Sequence, residues 1–309
     1  MVTKFTSDIA GGAVFSLPWL VARDEGLFSK ENLEVELVRS PQRKERPRRI
    51  AEATRNPNRV RSTDNHLFFE AGKAQFHRGC EWGQIRRAYD SKHGGQVISK
   101  RTAVVSQAII VRGDSRYTHP QDLRNVPIAV HFHAGSQYMT LQMLEGFLSR
   151  DEIKLIHIPV SAQRYKALSK RMVDAITVPE PWIALAEKQK CKLICEAFCV
   201  GSEVASPDIK PQIYAAINRA IKKAVQLINR NKKKYLGYFI ADVPRSIGSL
   251  RHSDFNLSRL RYVDPTPYPR DEFERAYKWM LSWNLIKPDA SFESVVDNRI
   301  QAAPRPIRP

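Results

Sequence analysis

"VISKRTAVVSQAIIVRGDSRYTHPQDLRNVPIAV" (97–130) decides how this chain is built. Its first half is a long apolar β segment that stops at Gly113-Asp114-Ser115. "HPQDLRN" (119–125) turns the chain through a short helix into a second strand, and "AVHFHAGSQYMTLQML" (129–144) carries that strand into a helical pattern. Strand, turn, strand and helix in that order belong to an α/β sheet. The alternation continues outward on both sides. "SLPWLVARDEGLFSKEN" (16–32) reads as a helix with Ser16 as N-cap and Pro18 in its first turn, and "LEVELV" (33–38) as the strand after it. "AGKAQFHRGCEWGQIRRAYD" (71–90) reads as a strand, a Gly-Cys-Glu corner and a helix. "IKLIHIPV", "SAQRYKALSKRMV", "DAITV", "PEPWIALAEKQ" and "CKLICEAF" continue the pattern to residue 198. From about 207 onward the texture is helical, with apolar residues at three- and four-residue spacing over 211–240 and a shorter amphipathic helix over 271–286.

Composition sets the bounds. The 309 residues suffice for two medium cores, and 42% apolar with 27% charged residues is the balance of a globular protein. The net charge of +18 raises nucleic acid or another acidic partner. Yet only "RKERPRRIAEATRNPNRVR" (43–61) and "NRNKKKY" (229–235) are dense in cations, and neither interleaves aromatics. Nucleic acid is therefore not the expected ligand; a basic surface that steers small anions is. Residues 39–63 read as a basic loop or a short helix between loose flanks. Three of the four cysteines fall in "CKLICEAFC" (191–199), a spacing that suits neither a disulfide framework nor a zinc site. The first twenty residues lack the pattern of a secretory leader, and no run is long enough to span a bilayer. The expectation is a cytoplasmic chain, or a periplasmic one if a leader is missing. No Walker A loop, GxGxxG, GxSxG or HExxH occurs.

"WLVARDEGLFSKENLEVELV" (19–38), the 97–130 stretch, Gly135-Ser136 opening a helix, and "VDAITVPEPWIALAEKQKCKLICE" (173–196) together resemble the type II periplasmic binding protein fold. More narrowly, the chain is similar to the sulfonate, taurine and thiamine-precursor binding proteins. The resemblance implies an α/β, two-lobed structure with an interlobe cleft and a helical C-terminal region. One lobe would be 1–102 plus 204–309, and the other 103–203. A minority of this fold are intracellular enzymes, and among them the aromatic sulfinate desulfinases resemble the chain at three places: His66-Leu67-Phe68-Phe69, His77-Arg78-Gly79-Cys80-Glu81, and Arg101-Thr102 with Ile110–Ser115. That likeness implies a cleft histidine at His66 and an arginine at Arg78. The desulfinase cysteine would fall near Ala13, where there is no thiol, and Cys80 is the thiol that could replace it.

Three clusters carry candidate chemistry. In "HRGCEWG" (77–83), a thiol at a strand end beside a helix start is the setting that exposes a thiolate, with Glu81 beside it; the alternative is a buried Cys80 and a capping Glu81. In "HFHAGSQY" (131–138), His131 and His133 would share one face of a strand. Gly135, Ser136 and Gln137 would offer backbone N–H groups to an anion, or one histidine would simply pack. In "VPEPW" (178–182), Glu180 could bond a ligand and Trp182, with Trp19, could sandwich its flat part, unless both rings are core. Arg101 could pair with an acid or serve as a hinge salt bridge. The histidine and cysteine spacings favour no metal or cofactor. The expected function is a hydrolase or lyase, desulfinase- or decarboxylase-like, acting on a small anionic or aromatic molecule. Cys80, His66, His133 and Glu81 would be its catalytic groups, and Trp19, Arg78, Arg101, His131, Gly135, Ser136, Gln137, Glu180 and Trp182 its binding groups. The alternative is a solute-binding protein of an ABC transporter without turnover. A monomer or homodimer is expected.

Overall fold

In the computed structural model, which describes residues 2–9, 12–40, 47–57 and 60–298, the strands are β1 (Thr3–Asp8), β2 (Leu33–Val38), β3 (Phe76–Cys80), β4 (Gln96–Val111), β5 (Pro127–Val130), β6 (Lys154–His157), β7 (Ala175–Pro179), β8 (Lys192–Ala205) and β9 (Leu260–Arg261). Among the described residues they join one sheet in the order β2-β1-β3-β8-β4-β7-β5-β6, with β9 on β4. The two flanks are parallel, β1 lying between β2 and β3, and β5 between β6 and β7. Between them run β4 and β8, the two longest strands, paired antiparallel. Their ladder breaks register between Lys100 and Val104, where one flank gives way to the other. The α/β expectation from the sequence is met. Of its strands, β3 and β7 are buried on both faces, while the edge strand β2 exposes Glu34 and Glu36.

The helices are α1 (Ala13–Asp24), α2 (Pro47–Arg55), α3 (Leu67–Glu70), α4 (Glu81–Asp90), α5 (Gly135–Leu144), α6 (Ser161–Ser169), α7 (Trp182–Lys188), α8 (Pro211–Arg230), α9 (Leu236–Ala241), α10 (Arg270–Ser282) and α11 (Phe292–Val295). α1 starts three residues before the expected Ser16 cap. Its cap comes from far away, since Ala13 donates its N–H to Asp242 Oδ2 at 2.6 Å. Pro18 therefore sits inside the helix and cannot donate to the Val14 carbonyl. Tyr262 Oη takes that role, donating to Val14 O at 3.3 Å. One long helix over 211–240 does not form. α8 ends at Arg230, and the Asn231 side chain accepts from Lys234 N–H to start a separate turn. α8 buries Tyr214, Ile217, Ile221, Ala224, Val225 and Ile228 on one stripe, each large side chain contributing about 1.5–3 kcal/mol.

The C-terminal helices return to clasp the second flank. Trp279 and Trp283 of α10 both donate their indole N–H to Glu145, which follows α5: Trp279 at 3.0 and 3.1 Å, Trp283 at 2.9 Å. The Arg150 guanidinium lies over the Trp283 ring at 4.6 Å. Among the described residues no helix is long and apolar enough to cross a membrane.

Candidate functional site

The carboxyl ends of the parallel strands in both flanks point at one cavity, the place where open α/β sheets hold ligands. Its volume is about 390 Å³. From the first flank its walls are Arg39 and Ser40 after β2 and Gly79-Cys80 at the end of β3; from the second they are His131 after β5, His157 at the end of β6, and Pro179 at the end of β7 with Glu180 after it. Of the residues expected from the sequence, His66, Arg78, Cys80, His131, Gly135, Ser136, Glu180 and Trp182 line this one cavity. Trp19, Glu81, His133 and Gln137 do not, and the Arg101 side chain lies outside the described residues.

The reasons are physical. Trp19 is fully buried in the core, donates its indole N–H to Glu203 at 2.5 Å and puts its ring 4.1 Å from the Arg78 guanidinium. It supports the cleft arginine from behind and cannot sandwich a ligand. Glu81 turns away toward the C-terminal segment, accepting from Tyr268 Oη at 2.9 Å and pairing with Lys100 at 3.1 Å. Lys100 is also paired with Glu272. His131 and His133 are not on a strand, because β5 ends at Val130. The chain turns instead, and His133 takes a left-handed backbone with φ of +58°. Gln137 holds that turn by accepting the His133 N–H at 2.6 Å. Burial drives the His133 imidazole down to about 4. Only the backbone of His133 serves the site, its carbonyl accepting from Arg87 Nη2 at 2.9 Å.

Cys80 forms the corner foreseen between β3 and α4, but as a cap: its Sγ accepts the Gly83 N–H at 3.4 Å. Burial pushes its thiol up to about 11, outweighing the nearby Arg87. At neutral pH it is a thiol, not a thiolate. His66 stacks on His77 with ring centroids 4.0 Å apart, its Nδ1 3.7 Å from Asp8. Burial holds both imidazoles neutral. His131 is held neutral in the same way, beside His157 at 5.5 Å. Glu180 bonds the Ala184 N–H at 3.1 Å, and burial raises its carboxyl to about 7. Trp182 packs its ring 5.6 Å from Tyr165.

Gly135 opens α5 at the cavity wall, and a Cβ there would lie 2.3 Å from Gln107 Nε2. Gly83 is equally constrained, since its Cβ would meet Arg87 Nη1 at 2.7 Å and Cys80 Sγ at 3.0 Å. Two glycines thus let α4, α5 and β4 close on one point of the cleft. Among the described residues no three His, Cys, Asp or Glu side chains gather as a metal site.

Sequence reading missed the arginines that dominate the cavity. Arg87 of α4 and Arg164 of α6 both line it and are buried. Arg164 donates from Nη1 to the carbonyls of Ile158 (2.8 Å) and Pro159 (3.1 Å), and from Nη2 to Ser161 Oγ (2.8 Å). Burial alone lowers its guanidinium to about 9. The signal for both was a charged residue at an apolar position of an amphipathic helix: Arg164 shares the buried face of α6 with Ala167 and Leu168, and Arg87 that of α4 with Gln84 and Ala88.

A family profile described as the NMT1-like family matches residues 14–234. No sequence match was found among curated proteins. In the solved structures, the alkanesulfonate-binding protein SsuA from Xanthomonas axonopodis pv. citri, bound to MOPS, is similar with 12% identity, 96% of this chain and 97% of that chain covered, and a TM-score of 0.69. A conserved Candida albicans gene product with the generic periplasmic binding protein fold shares 13% identity over 96% of each chain, with a TM-score of 0.70. The desulfurization enzyme DszB, as a variant in complex with biphenyl-2-sulfinic acid, shares 14% identity over 98% of this chain and 99% of that chain, with a TM-score of 0.60. The expected periplasmic-binding-protein-like fold is thereby confirmed, and so is the resemblance that carried it.

Proposed function

We propose that this chain, which belongs to the NMT1-like family, captures a small anion in the cleft between two lobes, as a solute-binding protein does. One observation carries the reading: Arg164 is a buried cation on the cavity wall whose partners among the described residues are only carbonyls and a hydroxyl. An isolated charge removed from water costs several kcal/mol unless a counter-charge reaches it. An acid entering the cleft would supply that charge, and closure of the lobes around it would follow from the same attraction. The register break between Lys100 and Val104 supports a hinge there, and with it the division into 1–102 plus 204–309 and 103–203. The first two relatives support the binding role, one being alkanesulfonate-binding and the other having the binding-protein fold. A binding role of the kind found in periplasmic relatives favours an exported setting over a cytoplasmic one.

The hydrolase or lyase reading needs a nucleophile or a titrating base. Cys80 keeps its proton at neutral pH and His66 and His131 titrate well below it, while Glu180, raised to about 7, is engaged by the Ala184 N–H and faces Arg259, so the binding reading is preferred. Calorimetric titration with MOPS and shorter alkanesulfonates tests it. The wild-type chain should bind at least one of them, and Arg164→Gln should weaken binding about tenfold or more. Absence of binding to every acid tried would remove the reading. Product formation from a sulfinate would restore the enzymatic one.

A further inference from the structure

We propose that the acid held in this cleft carries two negative charges, on one phosphonate-like head or on two carboxylates, rather than the single charge of a sulfonate. The proposal rests on the anion-binding reading above. It follows from which arginines of the cavity wall have a carboxylate beside them. The wall has three carboxylates, Asp64, Glu180 and Asp242. Asp64 faces Arg61 at 2.7 Å and Asp242 faces Arg39 at 3.1 Å, while Glu180 lies 3.5 Å from Arg259, a cation it shares with Glu187 and Glu196. Arg78, also on the wall, pairs with Glu203 behind it at 3.5 Å and donates to Ser7.

Two cations are left over. Arg87 donates to Ser62 O at 3.0 Å, Gln84 Oε1 at 2.9 Å and His133 O at 2.9 Å, all uncharged acceptors. The one carboxylate that acts on it, Asp90, is already engaged by Arg86 at 2.5 Å and Ser62 Oγ at 2.6 Å. Arg164 has only the carbonyls and hydroxyl named above, and its Nε has no partner. Among the described residues no carboxylate stands within ion-pair distance of either guanidinium. Both line the same cavity as His131, although Arg87 comes from α4 and Arg164 from α6. His66 and His131 are neutral and add nothing to the sum.

A monoanion would offset one of these buried cations and leave the other uncompensated. A dianion offsets both, and in a low-dielectric site the second charge is worth far more than it would be in water. The matched probes are propylphosphonate and propanesulfonate, titrated calorimetrically into the full chain. At about pH 8.5 the phosphonate is mainly a dianion, its second proton being held more tightly than that of a phosphate ester, and at about pH 5.5 it is a monoanion. The expected result is phosphonate binding about tenfold tighter than sulfonate at the higher pH, with the preference gone at the lower. In Arg164→Gln the preference should fall to about threefold or less, with sulfonate binding about tenfold weaker but still measurable, and Arg87→Gln should do the same if its circular dichroism shows a native fold. Benzene-1,3-dicarboxylate against benzoate makes the second arm. A dicarboxylate preference without a phosphonate preference supports the two charges and places them on separate groups. Sulfonate binding as tightly as both dianions at the higher pH overturns the proposal and leaves the anion-binding reading standing. Failure of all four acids to bind overturns both.

Discussion

Arg259 and Arg164 are both nearly inaccessible to water, at 6% and 3% exposure, yet their surroundings are opposite. Arg259 precedes β9 and holds two carboxylates, Glu187 at 2.7 Å and Glu196 at 2.6 Å, with Glu180 a third at 3.5 Å. Those partners raise its guanidinium above the usual arginine value. Arg164 has none among the described residues, and burial lowers it to about 9. The same residue type, equally buried, is thus architecture in one place and an unanswered charge in the other. A charge with a built-in partner stabilises the fold. A charge without one costs stability until a ligand arrives, and that cost is the mark of a site.

The comparison can be broken most sharply at Arg259. Arg259→Met should cost about 3 kcal/mol, because three carboxylates lose their common cation; Glu187, more than a third exposed, contributes least to that loss. Urea denaturation reads the change, and a loss below about 1 kcal/mol would mean that the network is ornamental. Next comes Glu180, whose folded carboxyl titrates near 7 against an ordinary 4.5. A raised acid pKa means that the folded state prefers the proton. Stability should therefore fall as pH rises from about 4.5 through about 7, by up to roughly 3 kcal/mol. Glu180→Gln should flatten that slope and be the more stable protein at about pH 8; an unchanged slope would assign it to another group. Arg164→Gln, in contrast to Arg259→Met, should move stability by no more than about 1 kcal/mol while weakening anion binding. A large loss of stability there would make Arg164 architecture too. The smallest effect belongs to Cys80→Ser. Serine is the better N-cap, so stability should stay within about 0.5 kcal/mol and affinity within about twofold. A loss of turnover in that variant, on any substrate, would show that the thiol reacts.

The comparison also explains what the sequence could disclose. The 97–130 stretch carries its information locally, in apolar runs and turn residues, and β4 and β5 follow from it directly. The Gly135-Ser136 corner was legible for the same reason. His131 and His133 were not, because alternation along a strand assumes that the strand continues. Here Gln137 stabilises a left-handed turn just beyond Val130. Trp19 and Glu81 are misleading in isolation, since their partners Glu203 and Tyr268 lie more than a hundred residues away in sequence. Arg87 and Arg164 look like ordinary surface arginines until the helix faces are known. Their place on a buried helix face is in the pattern of α4 and α6, but the absence of an acid beside them is set by the fold.

Glu145 holds two indoles at once, Trp279 and Trp283, at the contact between α10 and the end of α5. These are two of the five tryptophans in the chain, and they share one carboxylate. Any movement that lifts α10 from α5 must release both N–H groups together and wet both rings. Their combined emission would then shift to longer wavelength as a single step, giving the protein a built-in fluorescent gauge of the contact between α10 and α5.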